Sequence, residues 1–301
     1  FGHEYAPGIT AGDDIFTVMS SDIFRGSAFA LGYVNPDNLR GMNVWSDMYK
    51  VIRKANLMLA RMDECQDMTA LDRRNYTGYI HFLRGYAYYH ILMTCGPAIL
   101  VGDEIFESNL DGPAYNTYRA TYDETVEYIC SELETAAAYL PLKASIAQFE
   151  RPTKGAAYAL IARLRLHAAS PLFNGTSTAR LYFGNWKRTY DKEYYINQNY
   201  SEEKWALAAA ACKRVIDMNV YELFTVSKDQ NTPQLPAGVP TENFPNGAGG
   251  IDPFKSYSHM FTGDEPFKNN NEVIWGRISE EVKGYTQQSF PQYMGGYNGM
   301  G

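Results

Sequence analysis

The side chains that could carry out a reaction are few in this chain and lie far apart. Three acid pairs, Asp13–Asp14, Asp103–Glu104 and Glu280–Glu281, are the raw material for general acid–base work. Glycoside hydrolysis needs two carboxylates about 5–10 Å apart, one to protonate the leaving oxygen and one to attack or to activate water. Adjacent acids are equally what turns and helix caps use, and nothing in the spacing selects a catalytic pair. The five histidines, His3, His81, His90, His167 and His259, show no i,i+4 pairing in an acidic context. His81, His90 and His167 fall in helical patterns, where a hydrogen-bonded structural role is expected. Cys65, Cys95, Cys130 and Cys212 form no C-x-x-C pair. The last three sit in helix-patterned segments, as small buried apolar residues would. No G-x-S-x-G, H-E-x-x-H, Walker, dinucleotide or EF-hand pattern is present. The sequence thus assigns no catalytic residue, no metal ligand and no cofactor, and reads as a non-enzyme.

The aromatic content points elsewhere. The chain carries 24 Tyr, 15 Phe and 4 Trp in 301 residues, and a buried tyrosine hydroxyl needs a partner. Tyrosine suits half-wet packing between helices and surfaces that meet a ligand with apolar faces and hydroxyls. A net charge of −7 with no long basic run excludes nucleic acid as a partner. No apolar stretch approaches the roughly 18–20 residues that span a bilayer. Phe1 is no natural start, so an excerpt of a longer precursor is expected.

The elements that position these residues read as helical hairpins. Tyr76 to Leu100 places apolar and aromatic residues at three-and-four spacing on more than one face, as a central covered helix would. Gly96-Pro97 stops it, because Gly accepts positive φ and Pro cannot continue a helix. Before it, Trp45, Tyr49, Ile52, Asn56 and Leu59 line a first helix; the polar stretch Asp63 to Asp72 joins the two. Asn56 on that stripe must find hydrogen-bond partners, and Arg84 is expected to tie its helix to a neighbouring carboxylate or carbonyl. A second hairpin runs from Tyr122 to Leu140 and, after the N-cap candidate Thr153, from Gly155 to Ala168. The 33 residues between Tyr122 and Gly155 are close to the tetratricopeptide period. A further helix starts at Ser201 with Glu202-Glu203 and runs through Trp205, Cys212 and Ile216. Residues 1–43, 172–200 and 225–266 read as irregular, and Asn271 to Trp275 as a short strand.

Six segments in order resemble the SusD/RagB family of outer-membrane nutrient-binding lipoproteins of Bacteroidetes. They are W-S-D-M-Y-K-V-I-R-K-A-N-L-M-L from Trp45, F-L-R-G-Y-A-Y-Y-H-I-L-M-T-C-G-P-A-I-L from Phe82, Y-D-E-T-V-E-Y-I-C-S-E-L-E-T-A-A-A-Y-L-P from Tyr122, R-P-T-K-G-A-A-Y-A-L-I-A-R-L-R-L-H from Arg151, W-A-L-A-A-A-A-C-K-R-V-I from Trp205 and N-E-V-I-W from Asn271. Cys95 stands where the family usually has an aromatic residue before its Gly. The resemblance implies a mainly α fold: tetratricopeptide-like hairpins in a right-handed α-superhelical scaffold, with long irregular loops and a few short strands. It implies one incomplete domain over 1–301, with the scaffold at 44–223 and loop-rich ligand-face regions at 1–43 and 224–301.

It also implies glycan capture without catalysis, a TonB-dependent SusC-like outer-membrane transporter as partner, and a lipid anchor outside this fragment that places the protein outward-facing on the outer membrane. The family motifs mark scaffold, so the site candidates come from loop aromatics and amides: Phe29, Tyr33, Asn38, Trp186, Tyr257, Tyr293 and Tyr297. Ring faces suit the C–H faces of a sugar, and amides suit its hydroxyls. The competing readings are a tetratricopeptide-like protein adaptor, a peptide-capturing relative and a glycoside hydrolase.

Overall fold

The computed structural model describes residues 25–262, apart from 36, 40–42, 108, 110 and 116, together with residues 270–276. The described residues form helices α1 (Arg25–Ala30), α2 (Trp45–Arg61), α3 (Ala70–Cys95), α4 (Tyr122–Tyr139), α5 (Lys154–Ala169), α6 (Ser177–Phe183), α7 (Glu202–Asp217) and α8 (Pro253–Thr262). Helix α2 packs on α3, α3 on α4, α4 on α5 and α5 on α7, so the hairpins stack in chain order. Helical starts follow from local chemistry. Thr69, Thr121, Thr153 and Thr176 each accept a backbone N–H in the first turn of the helix that follows, and Thr121 with Glu124 forms a capping box.

Apolar side chains at helical spacing on α4, Val126, Ile129, Leu133 and Ala137, meet Tyr88, Ile91 and Leu164 in one core. Leu133 approaches Gly85 so closely that a methyl group there would sit 3.2 Å from its Cγ. Gly96 ends α3 at φ +77°, its N–H bonded to Leu92 O.

Arg84, 3% exposed, sits at the centre of α3's packing. Its Nε and Nη2 donate to the two oxygens of Glu132 on α4, each at 2.7 Å, while Nη1 donates to Asn56 Oδ1 on α2 at 2.8 Å and to Asp103. Asn56 Nδ2 in turn donates to the carbonyls of Gly102 and Glu104, and His81 Nδ1 lies 3.0 Å from Glu132 Oε2. The structural ties expected of Arg84 and Asn56 are therefore present, and Asp103 of one acid pair is engaged in them.

Several expectations need correction. Asn271 to Trp275 is a turn and bend, not a strand; its tryptophan docks edge-on against Phe82 and Tyr86 and donates to Glu150 O. The apolar run Val273-Ile274-Trp275 serves docking, since among the described residues no strand pairs with it. Among the described residues, isolated bridges such as Lys187–Tyr194 take the place of the few short strands. The stretches 172–200 and 225–266 contain α6 and α8.

On α7 only Ala208 is buried, and Trp205, Cys212 and Ile216 face outward. This helix ends the stack of described helices, and α5 covers one flank. Cys130 is buried, which pushes its thiol up to about 12, and Cys95 is half-buried; all four cysteines are free thiols. The tyrosine hydroxyls expected to join helices do so at Tyr122, which bonds His167 on α5. Those of Tyr49 and Tyr88 instead hold the 99–101 backbone.

Removing one member of a buried, hydrogen-bonded charge pair costs about 3–5 kcal/mol, so Arg84→Ala should lower unfolding stability by about that amount in urea titrations. For Glu132, burial alone would raise the carboxyl pKa, but bonds from His81 and Arg84 outweigh it and hold the group below the ordinary 4.5. Such a group adds stability above its unfolded value and loses it as pH falls through the lower folded value. Stability should therefore drop on acidification below 4.5. Glu132→Gln should be less stable at neutral pH and show a shallower acid loss over that window.

Candidate functional site

Several partly exposed rings gather around the loop from Trp186 to Tyr195. Its base is set by two backbone bonds, Trp186 N–H to Phe183 O and Tyr195 N–H to Trp186 O, and Tyr122 N–H donates to Tyr195 O. Arg188, whose side chain is 7% exposed, clamps the loop. It donates to Glu124 Oε2 at 3.0 Å and also pairs with Asp191 and Glu193. Since Glu124 also closes the capping box of α4, the loop is anchored to the helix N-terminus by one carboxylate.

Rings carry the core out to this surface. Tyr122 stacks on Phe173 with 4.5 Å between centroids, Phe173 faces Phe183 at 6.0 Å, Phe183 faces Trp186 at 6.2 Å, and Trp186 meets Tyr195 at 4.7 Å. Trp186, 36% exposed, lies over Gly96, where a Cβ would sit 3.3 Å from its ring. Gly96 thus meets two demands at once, positive φ and close approach. Tyr190 packs on Tyr118 at 4.4 Å, and both remain more than half exposed. Cations flank the rings: Lys187 over Tyr194, Arg188 over Tyr190 and Arg119 over Trp45. Arg119 also donates to the carbonyls of Cys95 and Pro97, which fixes the turn beneath Trp186.

The remaining sequence candidates stand on other elements. Phe29 and Tyr33 are exposed and flank a single turn closing α1, where Tyr33 N–H bonds Ala28 O and Gly32 has φ +72°. Asn38 is exposed, its backbone bridged to Asn35, whose side chain accepts from the N–H groups of Asp37 and Asn38. Tyr257 is exposed on α8, whose first turn is fixed by buried Asp252 accepting from Lys255 N–H and Thr232 Oγ1. Tyr293 and Tyr297 lie outside the described residues, as do Asp13–Asp14 and Glu280–Glu281. The candidates therefore occupy separate elements: the α1 turn, the 186–195 loop and α8.

Tyr118 and Tyr190 were not among the sequence candidates; an arginine next to Tyr118 (Arg119) and one two residues before Tyr190 (Arg188) were the available signal. Among the described residues, no group of three His, Cys, Asp or Glu side chains is placed to hold a metal ion. The arrangement offers ring faces, cations and amides on a rigid base, which is the chemistry of non-covalent recognition.

The chain belongs to the SusD-like family: the family model described as starch-binding, associating with the outer membrane, matches residues 15–166, which is 152 of 301 positions. Among curated proteins nothing matches. Three solved structures share the fold. A protein named BT4246 is 24% identical over 79% of this chain with a TM-score of 0.61. A SusD-like protein from Bacteroides fragilis is 20% identical over 92% with a TM-score of 0.60. A laminarin-binding SusD-like protein is 19% identical over 77% with a TM-score of 0.51. The chain covers 41% of the length of each of the three.

If Arg188 is what clamps the loop, Arg188→Ala should open it locally while leaving the helical stack folded. We expect proteolytic cleavage between Thr189 and Lys192 to rise about tenfold, the equivalent of about 1.4 kcal/mol of local opening, with little change in the thermal midpoint.

Proposed function

We propose that this chain captures glycans at the outer surface of the cell without cleaving them, and passes them to a TonB-dependent outer-membrane transporter of the SusC type. In this reading residues 44–223 are the scaffold, and 1–43 and 224–301 contribute to the ligand face, with membrane attachment through a lipid anchor. The observation that carries it is the continuous run of rings from Tyr122 in the core to half-exposed Trp186, braced by Gly96 beneath and by Tyr195 beside it. An indole fixed in this way offers a flat apolar face whose ordering is settled before any ligand arrives. Phe29, Tyr33, Asn38 and Tyr257 are the further contacts proposed, with Tyr293 and Tyr297, and Tyr118 and Tyr190 join them from the geometry. The family description as starch-binding and the laminarin-binding neighbour support glucose polymers as the first ligands to try.

Magnitudes fit transient capture. A few aromatic platforms at about 0.5–1.5 kcal/mol each and several hydrogen bonds at about 1 kcal/mol, less ordering losses, leave about 4–6 kcal/mol, or millimolar to tens of micromolar Kd. Weak binding allows release to a transporter.

Isothermal titration against starch, laminarin and a peptide panel, with reducing-end analysis of each mixture, tests the proposal. We expect saturable glucan binding in that range, no new reducing ends, and at least a fivefold loss in Trp186→Ala, about 1 kcal/mol. Release of reducing ends would replace it with a hydrolase, and binding of peptides alone with a peptide-capturing protein.

A further inference from the structure

A second feature of the same loop faces a different space. Between α4 and the segment 193–199 lies a groove of about 1150 Å³, walled by Leu100, Tyr128, Tyr194, Asn197, Gln198 and Asn199. That volume exceeds a typical small-ligand pocket of about 300–1,000 Å³ and suits an extended ligand. Two buried side-chain polar atoms among the described residues have no hydrogen-bond partner, the Tyr128 hydroxyl and Gln198 Oε1, and both residues line this groove. Elsewhere in the described core such groups are satisfied, as at Arg84, Asn56 and Tyr122, so their convergence on one groove is informative.

The groove's charges narrow the ligand class. Four carboxylates edge it, and each already has a cation: Asp123 with Lys204, Glu124 and Glu193 with Arg188, and Glu127 with Arg165. Arg188 serves Glu124, Glu193 and Asp191 together, so the edge keeps a small negative balance that disfavours an anionic ligand, and among the described residues no three carboxylates are placed to hold a metal ion. What remains is three consecutive amides, the hydroxyl residues Thr121, Ser131 and Tyr128, the Tyr194 ring and Leu100, a set matched to a neutral polyhydroxylated chain. Sugar hydroxyls both donate and accept, which suits an orphan phenol and an orphan amide carbonyl alike.

We propose that this groove is a second saccharide-binding subsite, with Tyr128 and Gln198 as the residues that read its ligand. The proposal rests on the glycan-binding reading and adds to it a place where a longer chain continues past the first few sugar units. Gln198 reaches the ligand by turning its terminal amide outward, giving up the bond from its Nε2 to Ile196 O. Tyr128 packs edge-on against Tyr88 at 5.0 Å, and its hydroxyl has no surface of its own, so a ligand bonds it only as the groove wall shifts on binding. Burial raises the Tyr128 pKa, so the phenol is protonated and able to donate.

The test is a titration of the full chain with linear glucose oligomers of increasing length, of starch and of laminarin type. Wild type, Tyr128→Phe, Gln198→Ala and Trp186→Ala are compared. Tyr128→Phe removes only an unpartnered hydroxyl, so its thermal midpoint should equal or exceed that of wild type, and its effect on binding is free of misfolding. We expect Tyr128→Phe and Gln198→Ala each to weaken long oligomers about fivefold, the loss of about one hydrogen bond, and to leave trimers unchanged. A wild type that binds no glucan overturns the glycan reading and this proposal together. Glucan binding that is lost in Trp186→Ala but kept at every length in both groove variants overturns the groove alone.

Discussion

A guanidinium buried among helices can be tolerated only if nearly every donor it carries finds an acceptor, and Arg84 meets that condition by drawing on three elements at once. Its planar fork meets both oxygens of Glu132 on α4, while the remaining nitrogen reaches Asn56 on α2 and the 102–103 loop. Because the fork is rigid, α2, α3 and α4 cannot slide along one another by a turn without leaving a charge unpaired. A buried ion pair is weak evidence for net stability, as a well-packed apolar substitute often does as well. Its stronger consequence here is register.

That register reaches the surface. With α3 and α4 fixed, the end of α3 at Gly96 and the start of α4 at Thr121 stand at set positions, and the 186–195 loop is held against both. Trp186 covers Gly96, Arg188 meets Glu124, and Tyr195 O accepts from Tyr122 N–H. Thus the loop holds Trp186 over Gly96 and Tyr190 against Tyr118, while Tyr194 lines the groove beside α4. The loop needs no regular secondary structure to be well placed, because its anchors are helix termini, where unpaired backbone groups and capping side chains are concentrated.

The hairpins were legible in the sequence because their signals are local. Period-3.6 stripes, Thr153 and the Gly96-Pro97 stop each depend on residues within about two turns of one another. Arg84 and Asn56 were legible for a related reason, being polar groups on stripes that must be buried. Helices α6 and α8 were not, as seven and ten residues rich in aromatic, Ser and Thr side chains give too few turns for a period to emerge. The short apolar run Val273-Ile274-Trp275 suggested a strand because such a run reports burial and says nothing about whether a partner strand exists. The site was least legible of all. Tyr118 beside Tyr190, Glu124 beneath Arg188 and Gln198 across one groove from Tyr128 are pairings across long sequence separations, and no local pattern encodes them.

The excess of tyrosine then has a physical explanation in two parts. In the interior, Tyr49, Tyr88 and Tyr122 work as long apolar side chains whose hydroxyls tie a helix to a loop or to the next helix, so they contribute packing and register together. At the surface, a ring has only two χ angles to order, so aromatic contacts held by neighbours lose little freedom when a ligand binds. The same residue type therefore serves a rigid interior and a receptive exterior, and what separates the roles is burial of the ring. Tyr128 lies on the boundary: its ring packs in the manner of the interior set, while its buried hydroxyl lacks the partner the others have. Phenylalanine there would keep the packing and remove an unpartnered buried hydroxyl, so this is the position at which stability and the proposed groove subsite make opposite demands.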